Sequence, residues 1–115
     1  MDSERPLISI VIPCYNSGIY ITEAVTSVKE SSFTNYEIII VDDGSSDLHT
    51  LSVLRQLEHQ KCKLIVQANG GPAAARNSGV RVAKGEYLFF LDSDNKIHPE
   101  YLEKSVKIMM RSDEV

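Results

Sequence analysis

Asp92 and Asp94 stand one residue apart, directly after the apolar run Tyr87-Leu88-Phe89-Phe90-Leu91. Two carboxylates held that close repel each other unless a cation sits nearby. A donor set made only of oxygen suits Mg²⁺, Mn²⁺ or Ca²⁺ better than softer metals. A second acidic pair opens the turn Asp42-Asp43-Gly44-Ser45-Ser46-Asp47, again after an apolar run. Two further polar clusters accompany them: Pro13-Cys14-Tyr15-Asn16, and Asn69-Gly70-Gly71 with Arg76-Asn77. Together they match the needs of a nucleotide diphosphate. A carboxylate can accept from the base N–H or from ribose hydroxyls, a cation offsets the diphosphate charge, and backbone N–H groups or an arginine complete the phosphate shell. Each cluster alone has a plainer explanation: helix capping for Asp92 and Asp94, turn chemistry for Asp42-Asp43-Gly44, a helix start for Asn69-Gly70-Gly71, packing for Arg76. Their occurrence together, in chain order and at the ends of apolar runs, is far more specific than any one of them.

The elements that must position these groups follow from pattern. Leu7-Ile8-Ser9-Ile10-Val11-Ile12, Tyr36-Glu37-Ile38-Ile39-Ile40-Val41, Lys63-Leu64-Ile65-Val66 and the aromatic run before Asp92 read as four strands. The last, bounded by Gly85 and Asp92, reads as a strand buried on both faces near the centre of a parallel sheet, with Tyr87, Phe89 and Phe90 in the core. Helices are expected from about Tyr20 to Glu30, after Asp47, from Ala73 to Ala83, and from His98-Pro99-Glu100 onward. Ser45 or Ser46 is expected to cap the second helix, which turns Leu48, Leu51, Leu54 and Leu57 to the sheet. The third helix is built of small residues, suited to close approach, with Lys84-Gly85 as its C-terminal cap. The fourth places Leu102, Val106 and Met109 on one face, leaving Ile108 and Met110 off that stripe. Alternation of strand and helix implies a Rossmann-like α/β sandwich of three layers on a mainly parallel sheet. Pattern alone leaves strand order open. An order of 3-2-1-4 would put the switch point between strands one and four, where ligands bind in such sheets. Pro13-Cys14-Tyr15-Asn16 and Asp92-Ser93-Asp94 would then flank one crevice, bordered by Asp42 and Asp43.

Composition narrows the classes. At 115 residues the chain has room for one domain, read here as residues 1–115 after a loose lead-in over residues 1–6. A formal net charge of −4, with no basic run, argues against a nucleic-acid partner. Met1-Asp2-Ser3-Glu4-Arg5 is too polar for a signal peptide, and no run reaches the length of a membrane span. A cytoplasmic location is the resulting expectation. Cys14 and Cys62 sit beside apolar runs without zinc-site spacing and are expected to be buried, reduced thiols. His49, His59 and His98 share no ligand spacing.

Four segments in this order, Ser9 to Asn16, Val41 to Asp47, Asn69 to Gly79 and Gly85 to Asp94, resemble the family 2 glycosyltransferases of GT-A fold. The resemblance runs from about Leu7 to Met110. It implies inverting transfer of a sugar from a nucleotide-diphosphate donor, commonly UDP-linked, to a glycan or lipid-linked acceptor, as in polysaccharide biosynthesis, in the cytoplasm and at the inner face of the membrane. It implies Asp94 as the direct ligand of Mn²⁺ or Mg²⁺, with Asp92 in the ribose or metal-shell position. It implies Asp43, with Asp42 beside it, as the carboxylate that reads the base, and Pro13 and Tyr15 as lining of the base pocket. Arg76 falls near the donor, and Asn16, Gly71 and Ser93 complete the expected nucleotide-binding set.

The chain departs from that family in length. Inverting transfer needs a base for the acceptor hydroxyl, and no acidic motif beyond Asp94 matches one; Asp113-Glu114 lie at the end of the last helix. The chain is therefore expected to be the donor half of an enzyme, truncated before its catalytic base, which is expected beyond Val115. Its apolar surface is expected to favour self-association. The alternatives are a nucleotide-binding module without turnover and a phosphoacceptor receiver domain. The receiver is the poorer match, because its acidic pair follows the first strand and here the first strand ends in Pro-Cys-Tyr-Asn.

Overall fold

The computed structural model describes residues 5–113. Most of the expected lead-in, together with Glu114 and Val115, lies outside the described residues. The expectation of a base beyond Val115 therefore falls outside them as well. Four strands alternate with four helices: β1 (Ile8–Cys14), α1 (Gly18–Lys29), β2 (Tyr36–Asp42), α2 (Leu48–Glu58), β3 (Lys63–Val66), α3 (Pro72–Val82), β4 (Tyr87–Phe90) and α4 (Tyr101–Asp113). The strands form one parallel sheet in the order β3-β2-β1-β4. This is the order 3-2-1-4 expected for the resemblance to the GT-A fold.

Alternation along β1 explains the layers. Ile8, Ile10, Ile12 and Cys14 face one side, where α1, α2 and α4 bring Val25, Val28, Leu54, Leu57, Leu102 and Val106 against them. Val11 faces the other side and packs with Ile39, Val41 and Ala75 under α3. The central isoleucines are fully buried, and each such side chain contributes about 1.5–3 kcal/mol of burial free energy. Gly79 is where α3 meets the sheet: a Cβ there would collide with Val11 Cγ1. The expectation that small residues let this helix lie close is met at that position.

Several local expectations are corrected. Among the described residues β4 pairs with β1 alone and lies at the edge of the sheet, and Leu88 and Phe90 are exposed while Tyr87 and Phe89 are half-buried. It is neither central nor buried on both faces, because α3 lies over β1 and β2 and leaves that side of β4 open. The cap of α2 is Asp47, whose carboxylate accepts from the Thr50 N–H at 3.1 Å and the Thr50 hydroxyl at 2.6 Å. Those bonds hold its pKa below the usual carboxylate range. With the cap two residues later than Ser45, α2 turns Thr50, Val53, Leu54 and Leu57 inward and leaves Leu48 exposed. α3 ends at Ala83, and Gly85 serves a different purpose: a Cβ there would stand 2.5 Å from the Ser9 N. That close approach lets Gly85 N donate to Ser9 Oγ at 2.7 Å, while Ser9 Oγ donates to Glu37 at 2.5 Å. Burial alone would raise the Glu37 pKa, but hydrogen bonds from Ser9 and the Lys84 N–H, with Lys63 beside them, hold it low. Leu102 and Val106 are buried under α4, and Ile108 and Met110 are exposed. Both cysteines are free and buried.

Candidate functional site

The carboxyl ends of β1, β2 and β4 and the start of α3 surround a cleft of about 690 Å³. Its lining includes Pro13, Tyr15, Asp43, Gly71, Arg76, Asp92, Ser93 and Asp94. Asn16 and Asp42, also expected at the site, are not among the lining residues.

The period of the strands separates the two acids of the β2 turn. Asp42 is the last residue of β2, paired with Cys14, and follows Ile38 and Ile40 onto the α1 side. It is buried, and its Oδ1 accepts from the Ser45 N–H at 2.9 Å, closing the turn. Asp43 follows Ile39 and Val41 to the α3 side, where the cleft lies. It is only 4% exposed. Oδ1 accepts from Gln67 Nε2 and from the Gly70 N–H, both at 2.8 Å. Oδ2 accepts from the Gly71 N–H at 2.9 Å and from Asn69 Nδ2 at 3.3 Å. Gln67 and the two glycine N–H groups hold this carboxyl below the usual carboxylate range. A carboxylate offers about four lone-pair sites, and the 67–71 loop takes all four. The carboxylate expected to read the base thus stands at the cleft with its oxygens engaged by this loop. Asp43 borders the cleft and fixes the loop that forms its wall.

Asn16 has a similar role. Its backbone is left-handed, at φ 51°, a region that asparagine tolerates better than most residues. Its Oδ1 accepts from the Ser46 and Asp47 N–H groups at 2.9 Å each, and its own N–H donates to Ser45 Oγ at 2.9 Å. It ties the loop after β1 to the loop after β2. Buried Thr50 extends this tie, accepting from the Gly18 N–H at 2.9 Å while donating to Asp47.

The pair after β4 is different. Asp92 and Asp94 are both exposed. Asp92 follows Leu88 and Phe90 to the α3 side, where Arg76 Nη2 lies 3.6 Å from its Oδ1. The turn is closed by the Asn95 N–H donating to the Asp92 carbonyl at 3.0 Å. Asp94 has no hydrogen-bond or ion-pair partner among the described residues. No group of three or more His, Cys, Asp or Glu side chains among the described residues could enclose a metal by itself. Two accessible carboxylates at the mouth of a cleft nevertheless fit a hard cation that takes its remaining ligands from water and substrate phosphates, the usual mode for Mg²⁺.

Ser17, Tyr20, Asn69, Pro72 and Ala75 also line the cleft and fall outside the expected set. Ser17 and Tyr20 stand three residues apart at the start of α1, so one face of its first turn looks toward the strand ends. Helical spacing just after a strand-ending loop was the signal available for them. No helix among the described residues is long and apolar enough to cross a membrane.

Residues 9–115 match the family model for glycosyl transferase family 2. Over 110 residues the chain is 39% identical to an uncharacterized glycosyltransferase of Haemophilus influenzae, covering 93% of this chain and 44% of that protein. Among solved structures it is similar to S. aureus TarS 1-349 in complex with UDP, with a TM-score of 0.81 and 31% identity over 90% of this chain and 32% of that one. It is similar also to the mannosyltransferase PcManGT from Pyrobaculum calidifontis in complex with GDP-Man and Mn²⁺, with a TM-score of 0.75 and 27% identity over 91% and 32%. The chain spans less than half the length of the curated relatives it matches.

Proposed function

Because this chain belongs to glycosyl transferase family 2 and has the GT-A fold, we propose that residues 1–115 are the donor-binding part of an inverting transferase that uses a UDP-linked sugar. The observation that carries this reading is one cleft lined by Pro13, Tyr15, Gly71, Arg76, Ser93 and two accessible carboxylates at the switch point of the sheet. Pro13 and Tyr15 wall the base. Arg76, at the start of α3, faces the diphosphate. Asp94, with Asp92, would hold Mn²⁺ or Mg²⁺, and the ion when bound would offset the negative charge gathered on the departing diphosphate. Asp43 and Asn16 act on the nucleotide through the loops they hold. The acceptor is a glycan or a lipid-linked sugar, met in the cytoplasm at the inner face of the membrane.

UDP is expected to bind at least fivefold more tightly with Mn²⁺ than without it, read by calorimetry, with GDP as the competing base. Equal UDP affinity in both conditions would remove the metal from the reading, and preference for GDP would remove the uridine.

A second reading, a nucleotide-binding module without turnover, is favoured for the isolated chain by one observation. The acids lining the cleft are Asp43, Asp92 and Asp94. The first is saturated by the 67–71 loop, and the other two are assigned to the metal. None is left to deprotonate an acceptor hydroxyl, which needs a base within about 3 Å. The isolated chain is therefore expected to bind UDP-sugars without transferring them. Turnover by this chain at a rate comparable to a longer relative, across a panel of acceptors, would place the base within these residues and not beyond Val115.

A further inference from the structure

We propose that Ser17 is a positioning residue that sets the Asp92-Ser93-Asp94 turn against the Pro13–Asn16 loop, so that the metal end and the base end of the cleft are coupled through one hydroxyl. The proposal rests on the donor-and-metal reading above. Ser17 occupies the N-cap of α1. A serine there ordinarily accepts from an N–H in the first turn of its helix, but this one makes no such bond. Its Oγ lies 2.9 Å from Ser93 Oγ, 76 residues along the chain. The same atom lies 3.3 Å from the Tyr15 carbonyl oxygen and 3.5 Å from Cys14 Sγ.

A hydroxyl has one proton and two lone pairs. One arrangement satisfies every contact: Ser17 donates to the Tyr15 carbonyl and accepts from the Ser93 hydroxyl and the Cys14 thiol. Burial pushes the Cys14 thiol up, which keeps its proton available through the neutral range. The loop that walls the base and the turn that carries both metal carboxylates thus meet at one oxygen atom. Among the described residues the other side-chain tie on this turn is the Arg76–Asp92 pair, whose side chains are 41% and 60% exposed, and exposed pairs of that kind hold geometry weakly. Removing the Ser17 hydroxyl takes no capping bond from α1; what is lost is its contact with Ser93 and its longer contacts with the Tyr15 carbonyl and Cys14.

Two measurements on the whole chain test this. In the free protein, hydrogen exchange at the Asn95 amide, which closes the turn onto the Asp92 carbonyl, is expected to accelerate about tenfold in Ser17→Ala and in Ser93→Ala, while Ser17→Thr restores protection. In calorimetry with UDP, the ratio of affinities with and without Mn²⁺ is expected to fall about fivefold in each alanine variant and no further in the double variant, because the two act through a single contact. Unchanged exchange at Asn95 in Ser17→Ala would overturn the proposal whatever the ligand does. Faster exchange with an unaltered Mn²⁺ ratio, or additive losses in the double variant, would overturn it too. A wild-type chain without any Mn²⁺ effect would overturn the metal reading instead, and the exchange result would still decide the bridge.

Discussion

Replacing Asp43 with alanine is expected to lower the melting temperature by roughly 10 °C and to abolish measurable UDP binding at the same time. Four donors converge on this carboxylate: Gln67 Nε2, Asn69 Nδ2 and the Gly70 and Gly71 N–H groups. Each donor left without a partner in a buried place costs about 1–3 kcal/mol. The loop can open and rehydrate, which brings the total to about 2–3 kcal/mol. The loop so released is the wall of the cleft and the lead into α3, so binding is lost with stability. Asp43→Asn should do nearly as much harm despite its matching shape. One of its two acceptor oxygens becomes an NH₂ group, and on either side of the carboxylate that group faces donors.

The same contacts predict the pH response. The native carboxyl is held below its usual value by the donors around it. Its contribution to stability is therefore complete above the unfolded value of about 4 and is lost as pH falls through the lower native value. Thermal melts between about pH 7 and pH 3 should show the wild type losing its advantage over Asp43→Ala only at the acid end. A constant difference across that range would remove the carboxylate's charge from the explanation.

Asp94→Ala should behave in the opposite way. The residue is exposed and without a partner among the described residues, and such surface substitutions usually change stability by within about 0.5 kcal/mol. The effect falls on the metal: the ratio of UDP affinities with and without Mn²⁺ should collapse to about one. Asp92→Ala should reduce that ratio only partly, since Asp92 is already engaged by Arg76. Calorimetry on the three chains measures this directly. A Mn²⁺ effect that survives in Asp94→Ala would assign the ion to other ligands.

The contrast between these two aspartates shows how much of the molecule is legible from residue order. The β-branched runs of β1 and β2 declare buried parallel strands, and the polar clusters after them declare a ligand-binding edge. The run before Asp92 carries the same signal, yet β4 lies at the margin of the sheet with Leu88 and Phe90 exposed. An unbroken apolar run does not say which of its faces is covered. Adjacent Asp42 and Asp43 look interchangeable in one dimension. Only the register of β2 turns one toward the turn at Ser45 and the other toward the 67–71 loop. The shift of the α2 cap from Ser45 or Ser46 to Asp47 is of the same kind, because three neighbouring residues can all cap and tertiary contacts from Asn16 choose among them. Helical spacing could place Ser17 at the cleft, but its pairing with Ser93 lies beyond any local reading, since the two are 76 residues apart.

The loops around the cleft are tied to one another in sequence. Asn16 holds the turn after β2, Asp43 holds the loop before α3, Arg76 of α3 reaches Asp92, and Ser93 closes back on Ser17. The ties form a ring, and a ring is inherited as a unit. A loop taken from a relative brings one half of each contact at its ends and meets a host that lacks the other half. Grafting a single segment to change donor preference would therefore leave two broken joints. Exchange of residues 13–17, 42–47, 67–76 and 92–95 as one block keeps every joint intact, while the isoleucine core beneath them can stay untouched.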